Sequence, residues 1–195
     1  MHKYKGAIIA HVGPMFGGKT SGLLADVRKM RIAKYKVGLF KPSKDDRYSN
    51  NDVVNHDGES IEAINIKSLK DIIDDNYIDT YDVIAIDEFQ FLELPHYDYI
   101  YVFINYIISK GKTLIISGLD LDSELYPFKN IKDILPYATH IFKHKAVCVD
   151  CGNEATTSYC TVEKEGQELI GTDDKYVPLC IHCYNKRKYG EKNEL

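Results

Sequence analysis

Apolar positions follow two alternating rhythms along the chain. Residues 7–12 (AIIAHV) form a short, β-branched run with the length of a buried strand. Beyond them Leu23, Leu24, Val27 and Met30 recur at helical spacing among Asp26, Arg28, Lys29 and Arg31, which predicts a helix with one apolar face. Residues 36–41 (KVGLFK) read as a second strand, closed by Pro42. The following stretch, KPSKDDRYSNNDVVNHDGES, is too rich in turn formers to belong to a core. Residues 61–66 predict a short strand, and Leu69, Ile72 and Ile73 mark a helix. Residues 81–86 (YDVIAI) are a buried strand that ends at Asp87 and Glu88. Residues 97–110 are apolar at most positions and long enough for a buried helix, and 113–117 form the next strand. Strands alternating with helices predict an α/β fold, a parallel sheet with helices on both faces.

Composition limits what surrounds this core. A chain of 195 residues suits one α/β domain and a small appendage, and 44% hydrophobic content is ample to fill it. A formal charge of −4 gives no electrostatic reason to expect a nucleic-acid partner. No apolar run is long enough to span a bilayer, and MHKYKGAIIAHVGP lacks a signal-peptide cleavage pattern. The expected setting is therefore the cytoplasm, away from membranes. Composition shifts near Ala146, which predicts an α/β domain over 1–145 and a cysteine-bearing one over 146–195, with no flexible linker between.

The first chemistry lies just after the first strand. Gly13, Pro14, Met15, Phe16, Gly17, Gly18, Lys19 and Thr20 fit G-x-x-x-x-G-K-[ST] at every position, between a predicted strand and a predicted helix. Glycines let the backbone curl so that successive N–H groups point at one anion, and the new helix adds its positive end. Lys19 would reach the β- and γ-phosphates of a nucleoside triphosphate, and the Thr20 hydroxyl would ligate Mg²⁺. An ordinary glycine turn rarely has both flanks right.

Asp87-Glu88-Phe89-Gln90 stands at the carboxyl end of a buried strand, where ligands of open α/β sheets sit. Asp87 suits a Mg²⁺-supporting role, while Glu88 projects the other way and can take a proton. That proton would come from water in an ATPase, or from a substrate hydroxyl in a kinase. The residues alone leave this choice open, along with a nucleotide-binding module without turnover.

Five cysteines fall in the last quarter of the chain. Cys148-x-x-Cys151 and Cys180-x-x-Cys183 flank residues 152–179 and have the spacing of a tetrahedral Zn²⁺ site. Disulfides or redox dithiols are the rival reading, disfavoured in a reducing compartment. Cys160 and His182 are read as non-ligands.

GPMFGGKT, KDDRYS at 44–49, NHDG at 55–58, DEFQF at 87–91, GLD at 118–120 and PF at 127–128 occur in order, followed by the two cysteine pairs and GTDDKYVPLC at 171–180. Together, over residues 7–184, they resemble the cytosolic (type II) thymidine kinases. The resemblance implies a RecA-like core and a zinc-anchored lasso loop over the nucleoside. It implies Mg²⁺-ATP as donor and thymidine as acceptor, with deoxyuridine a possible second substrate. A homotetramer and feedback inhibition by thymidine triphosphate are implied as well.

By position, the resemblance makes Glu88 the general base and Arg47 the residue that neutralises transferring phosphate, with Asp45 near it. Asp87 would hold Mg²⁺ through water, with Gln90 beside the nucleotide. Met15, Phe91, Leu119 and Phe128 would wall a slot for the flat pyrimidine, which offers two π-faces and a methyl group. Backbone groups of Gln167, Glu168, Leu169, Ile170 and Gly171 would read the base edge, with Ser158 and Tyr176 completing the contacts. Two positions depart from the pattern: Ser123 stands where many relatives have an aromatic, and Cys160 where a basic residue is common.

Overall fold

The computed structural model describes residues 5–43, 52–54, 60–96, 98–162 and 175–190. In chain order the amino-terminal part runs β1 (Ile8–Val12), α1 (Lys19–Ile32), β2 (Val37–Pro42), β3 (Asp52–Val54), β4 (Ser60–Glu62) and β5 (Ile64–Ile66). Then come α2 (Leu69–Asp74), α3 (Tyr77–Thr80), β6 (Val83–Ile86), α4 (Tyr99–Ser109), β7 (Thr113–Gly118) and α5 (Lys129–Ile134). After β8 (His140–Lys143) the cysteine-bearing part supplies β9 (Ala146–Val147), β10 (Glu154–Ala155), β11 (Thr157–Cys160), β12 (Tyr176–Leu179) and α6 (Ile181–Tyr189).

The main sheet has six strands in the order β5-β2-β6-β7-β1-β8, and every pairing in it is parallel. Strand side chains alternate between its faces with period two. Ile9, Leu39, Ala85 and Ile115 meet Leu23, Leu24, Val27 and Met30 of α1 on one face. Ile8, Ala10, Phe40, Ile84, Ile86 and Ile116 meet Phe103, Ile104 and Ile107 of α4, with α2 and α5, on the other. The α/β architecture with helices on both faces is as the pattern predicts.

Three local expectations differ. The turn-rich stretch after Pro42 contributes β3, whose Val53 is buried against the α1 face. Its partner comes from the segment read as one strand, which is two: β4 pairs antiparallel with β3, while β5 adds to the main sheet. Helix α4 is only half buried, with Tyr101, Val102 and Ile108 exposed. No helix among the described residues is long and apolar enough to cross a membrane.

The cysteine region has a core of its own, built from Ala146, Cys148, Ala155, Leu179, Cys183 and Tyr184. Residues 119–127 of the loop after β7 reach it. The Tyr184 hydroxyl donates to the Ser123 carbonyl at 2.8 Å, Lys188 pairs with Glu124, and Leu125 packs on the small core.

Candidate active site

Three neighbouring strands, β6, β7 and β1, end side by side, and the loops that leave them carry the chemistry. After β1 the chain turns through Gly13 at φ 144°, Phe16 at 62° and Gly18 at 80° before α1 begins. Alternation of this kind turns successive N–H groups to one side, as an anion nest does. Lys19 curls back over the loop, its Nζ donating to the Pro14 carbonyl at 2.8 Å. The Thr20 hydroxyl lies 3.3 and 3.2 Å from the two oxygens of Asp87, one residue beyond β6. Ser117 of β7 also donates to Asp87. Burial, with Glu88 beside it, pushes the Asp87 carboxyl up to about 6. A hydroxyl and a carboxylate facing one point suit a hard divalent cation, whose charge would reverse that shift.

Glu88 lies in a left-handed backbone conformation at φ 48°, unusual for a residue with a side chain, which breaks β6 and starts a single 3₁₀ turn over Phe89–Phe91. Gln90 fixes the carboxylate, its Nε2 donating to Glu88 and its Oε1 accepting the Leu119 N–H at 3.1 Å. Its amide thus bridges the β6 and β7 loops. The turn itself is braced by Asn130 of α5, 7% exposed, whose Nδ2 lies 3.3, 3.4 and 2.7 Å from the carbonyls of Phe89, Gln90 and Leu92. No motif signals Asn130, because its partners stand about forty positions away in the chain. Asn130→Ala removes these bonds and is expected to destabilise the fold by about 1–3 kcal/mol, with kcat falling further than substrate affinity; urea denaturation and steady-state rates check both.

The residues expected to wall a base slot are partly gathered. Phe91 and Phe128 meet edge to face, 6.1 Å between ring centroids. Met15 and Leu119 are half-buried in the adjoining loops. Ser158, expected at the nucleoside, is 3% exposed and accepts the Met15 N–H at 2.9 Å, which ties the phosphate loop to β11. Ser158→Ala leaves that N–H unpaired. We expect weaker binding of both substrates and about 1–3 kcal/mol less stability, read by calorimetry and thermal melts. Tyr176 is half-buried on β12, opposite Cys160. Asp45, Arg47 and residues Gln167, Glu168, Leu169, Ile170 and Gly171 lie outside the described residues.

The four paired cysteines converge, with one sulfur from each lying within 4.8 Å of the others. Cys151 and Cys180 Sγ are 3.7 Å apart, too far for a disulfide. A tetrahedron with Zn–S bonds of about 2.3 Å has edges of about 3.8 Å, so the set fits a four-thiolate ion. Burial raises the Cys148 thiol, but hydrogen bonds to its sulfur from Cys180, Asp150 and Cys151 outweigh this and bring it down to about 6. Cys160 instead meets the Val162 carbonyl, away from the cluster.

A family model described as "Thymidine kinase" matches residues 6–184. The chain belongs to the thymidine kinase family. The thymidine kinase of Bacteroides fragilis is 36% identical over 182 residues, 93% of this chain and 88% of the relative. That of Bacteroides thetaiotaomicron is 36% identical over 180 residues, 92% of this chain and 87% of the relative. The match spans the phosphate loop, the Asp87-Glu88 turn and the four cysteines alike, so these features belong to one enzyme of the nucleoside kinase kind.

Proposed function

We infer that the protein transfers the γ-phosphate of ATP to the 5′-hydroxyl of thymidine, giving thymidine monophosphate for nucleotide salvage. The observation that carries this reading is the meeting of Thr20, Asp87 and Glu88 at adjoining strand ends beside an apolar slot, in a chain of this family.

The loop N–H groups and Lys19 cradle the triphosphate. Thr20 and Asp87 would hold Mg²⁺, which would offset the charge of the phosphates. Glu88, oriented by Gln90, takes the proton from the 5′-oxygen as that oxygen attacks phosphorus in line with the leaving ADP. Lys19 and Arg47 stabilise the charge that spreads over the transferring group. Met15, Phe91, Leu119 and Phe128 orient the pyrimidine, with the backbone at Gln167–Gly171 reading its edge. Deoxyuridine, which lacks only the methyl group, is a second acceptor.

Residues 146–195 are read as a lasso domain pinned at both ends by structural Zn²⁺, which has no direct catalytic role. A loop that must close on a small ligand loses conformational entropy, and anchoring its ends reduces that loss. A homotetramer, feedback inhibition by thymidine triphosphate and a cytoplasmic setting complete the reading and rest on the family resemblance. An ADP-release assay with a panel of acceptors tests the assignment. Thymidine should accelerate ADP release and purine nucleosides should not; release indifferent to nucleosides but stimulated by single-stranded DNA would overturn it.

A further inference from the structure

Asp87 is the last residue that β6 controls. Its N–H donates to the Phe40 carbonyl of β2 at 2.9 Å, so its backbone continues the ladder, and the chain breaks away only at Glu88. With strand alternation its side chain takes the α1 face, as Ala85 does, and there it meets Thr20. Across the sheet Ile86 pairs with Ile116, so the next step sets Asp87 beside Ser117 on that same face. Ser117 is fully buried, and its hydroxyl donates to Oδ1 of Asp87.

The two hydroxyls that reach this carboxylate differ in kind. Thr20 lies 3.3 Å from Oδ1 and 3.2 Å from Oδ2, both longer than a well-formed O–H···O bond. Its single hydrogen is thus shared loosely between two acceptors. Ser117 meets Oδ1 alone. Oδ1 is therefore tied to the sheet, which leaves Oδ2 on the side of Thr20, where a divalent cation would sit.

The scaffolds differ as well. Thr20 opens a helix at the end of a glycine loop, whereas Ser117 stands in a central strand. Strand β6 flanks it on one side and β1 on the other, where His11 is its partner in register. A strand held by two neighbours is a firmer base for a metal-holding carboxylate than a loop is. The other strand residues of this face are apolar, Ile9, Leu39, Ala85 and Ile115 among them, so packing alone has no call for a hydroxyl here. A buried hydroxyl costs free energy unless it is bonded, and the partner of this one is Asp87. Two residues on, the Leu119 N–H holds Gln90, and Gln90 holds Glu88. The end of β7 thus braces both carboxylates, Asp87 directly and Glu88 through an amide.

We propose that Ser117 is a positioning residue for the metal that accompanies ATP. Its hydrogen bond fixes the rotation of the Asp87 carboxylate, so that one oxygen stays with the sheet and the other faces the Thr20 hydroxyl before the cation arrives. This rests on the reading of the loop as an ATP site. Ser117 acts through Asp87.

The test is ATP affinity by calorimetry, in Mg²⁺ and in EDTA, for the wild type, Ser117→Ala and Ser117→Cys. The ratio of the two affinities isolates what the metal contributes. In the wild type Mg²⁺ should tighten ATP binding. Ser117→Ala should cut that gain about tenfold, the usual effect of losing a group that orients a metal ligand, with the affinity in EDTA unchanged. Ser117→Cys, close in size but a weaker donor, should fall between the two. In steady-state assays the Mg²⁺ concentration for half-maximal rate should rise about tenfold in Ser117→Ala, with the thymidine KM unchanged. A Ser117→Ala protein that keeps the wild-type ratio would overturn the proposal, since the hydroxyl would then only satisfy a buried carboxylate. Equal weakening in Mg²⁺ and in EDTA would overturn it too, as the mark of a distorted loop, and so would a wild type indifferent to Mg²⁺. If Ser117→Ala fails to fold, the cysteine variant carries the same comparison. The ratio needs no turnover, so the expected values in a protein that forms no thymidine monophosphate would support the role of Ser117 and refute the kinase reading.

Discussion

Glu88→Gln is expected to lower kcat between about a hundredfold and ten-thousandfold while leaving both KM values within a few-fold of the wild type. The substitution keeps size and shape, so the left-handed turn at φ 48° and the Gln90 bridge have no steric reason to move. What it removes is the acceptor for the 5′-hydroxyl proton, an interaction made only as phosphoryl transfer proceeds. Uniform loss of binding would instead raise KM with kcat kept. Steady-state kinetics with both substrates varied separate the two cases. A variant turning over at near-wild-type kcat would show that another group takes the proton.

Removing the metal from the four-cysteine cluster, or replacing Cys183 with Ser, is expected to unfold the carboxyl-terminal unit and abolish activity. Among the described residues its core has six buried side chains, two of them cysteines of the cluster. So small a cluster cannot offset the entropy of ordering its strands, and structural Zn²⁺ supplies about 10–16 kcal/mol in peptides of comparable size. The damage should spread along identified contacts. Ser158 leaves the Met15 N–H, and Tyr184 leaves the loop after β7, so the nucleoside slot loses two of its supports. The main sheet, with separate cores on its two faces, should survive. Circular dichroism should accordingly report a partial loss of structure, with thymidine affinity falling more than ATP affinity. Mass spectrometry of the native protein should count one zinc per chain. Full activity in protein shown to be metal-free would contradict this account.

The site was legible in the sequence where its chemistry is local. The phosphate loop is a contiguous run between a strand and a helix, and each cysteine pair is a short spacing, so both could be read without knowing the fold. The Asp87-Glu88 pair was legible because a buried strand announces its own carboxyl end. The braces were not. Asn130 bonds carbonyls of a turn in a distant part of the chain, and Ser117 meets Asp87 only because β6 and β7 are neighbours. His11 looked like one polar residue in an apolar strand, since Asp26 and His144 join it only through the packing of α1 and β8. Strand β8 escaped for a similar reason: it is an exposed edge, so no buried apolar run marks it. Val53 lay hidden because its neighbours in the sequence are turn formers, and only pairing with β4 shows it seated on the α1 face.

In a thymidine kinase the phosphate held by the loop passes to a nucleoside. Incubating the purified protein with Mg²⁺-ATP labelled at the γ-phosphate and thymidine, and separating the products, tests it directly. The label should appear in thymidine 5′-monophosphate, one for each ADP formed. Label recovered as inorganic phosphate, with thymidine unchanged, would mean that water is the acceptor and that the protein is an ATPase.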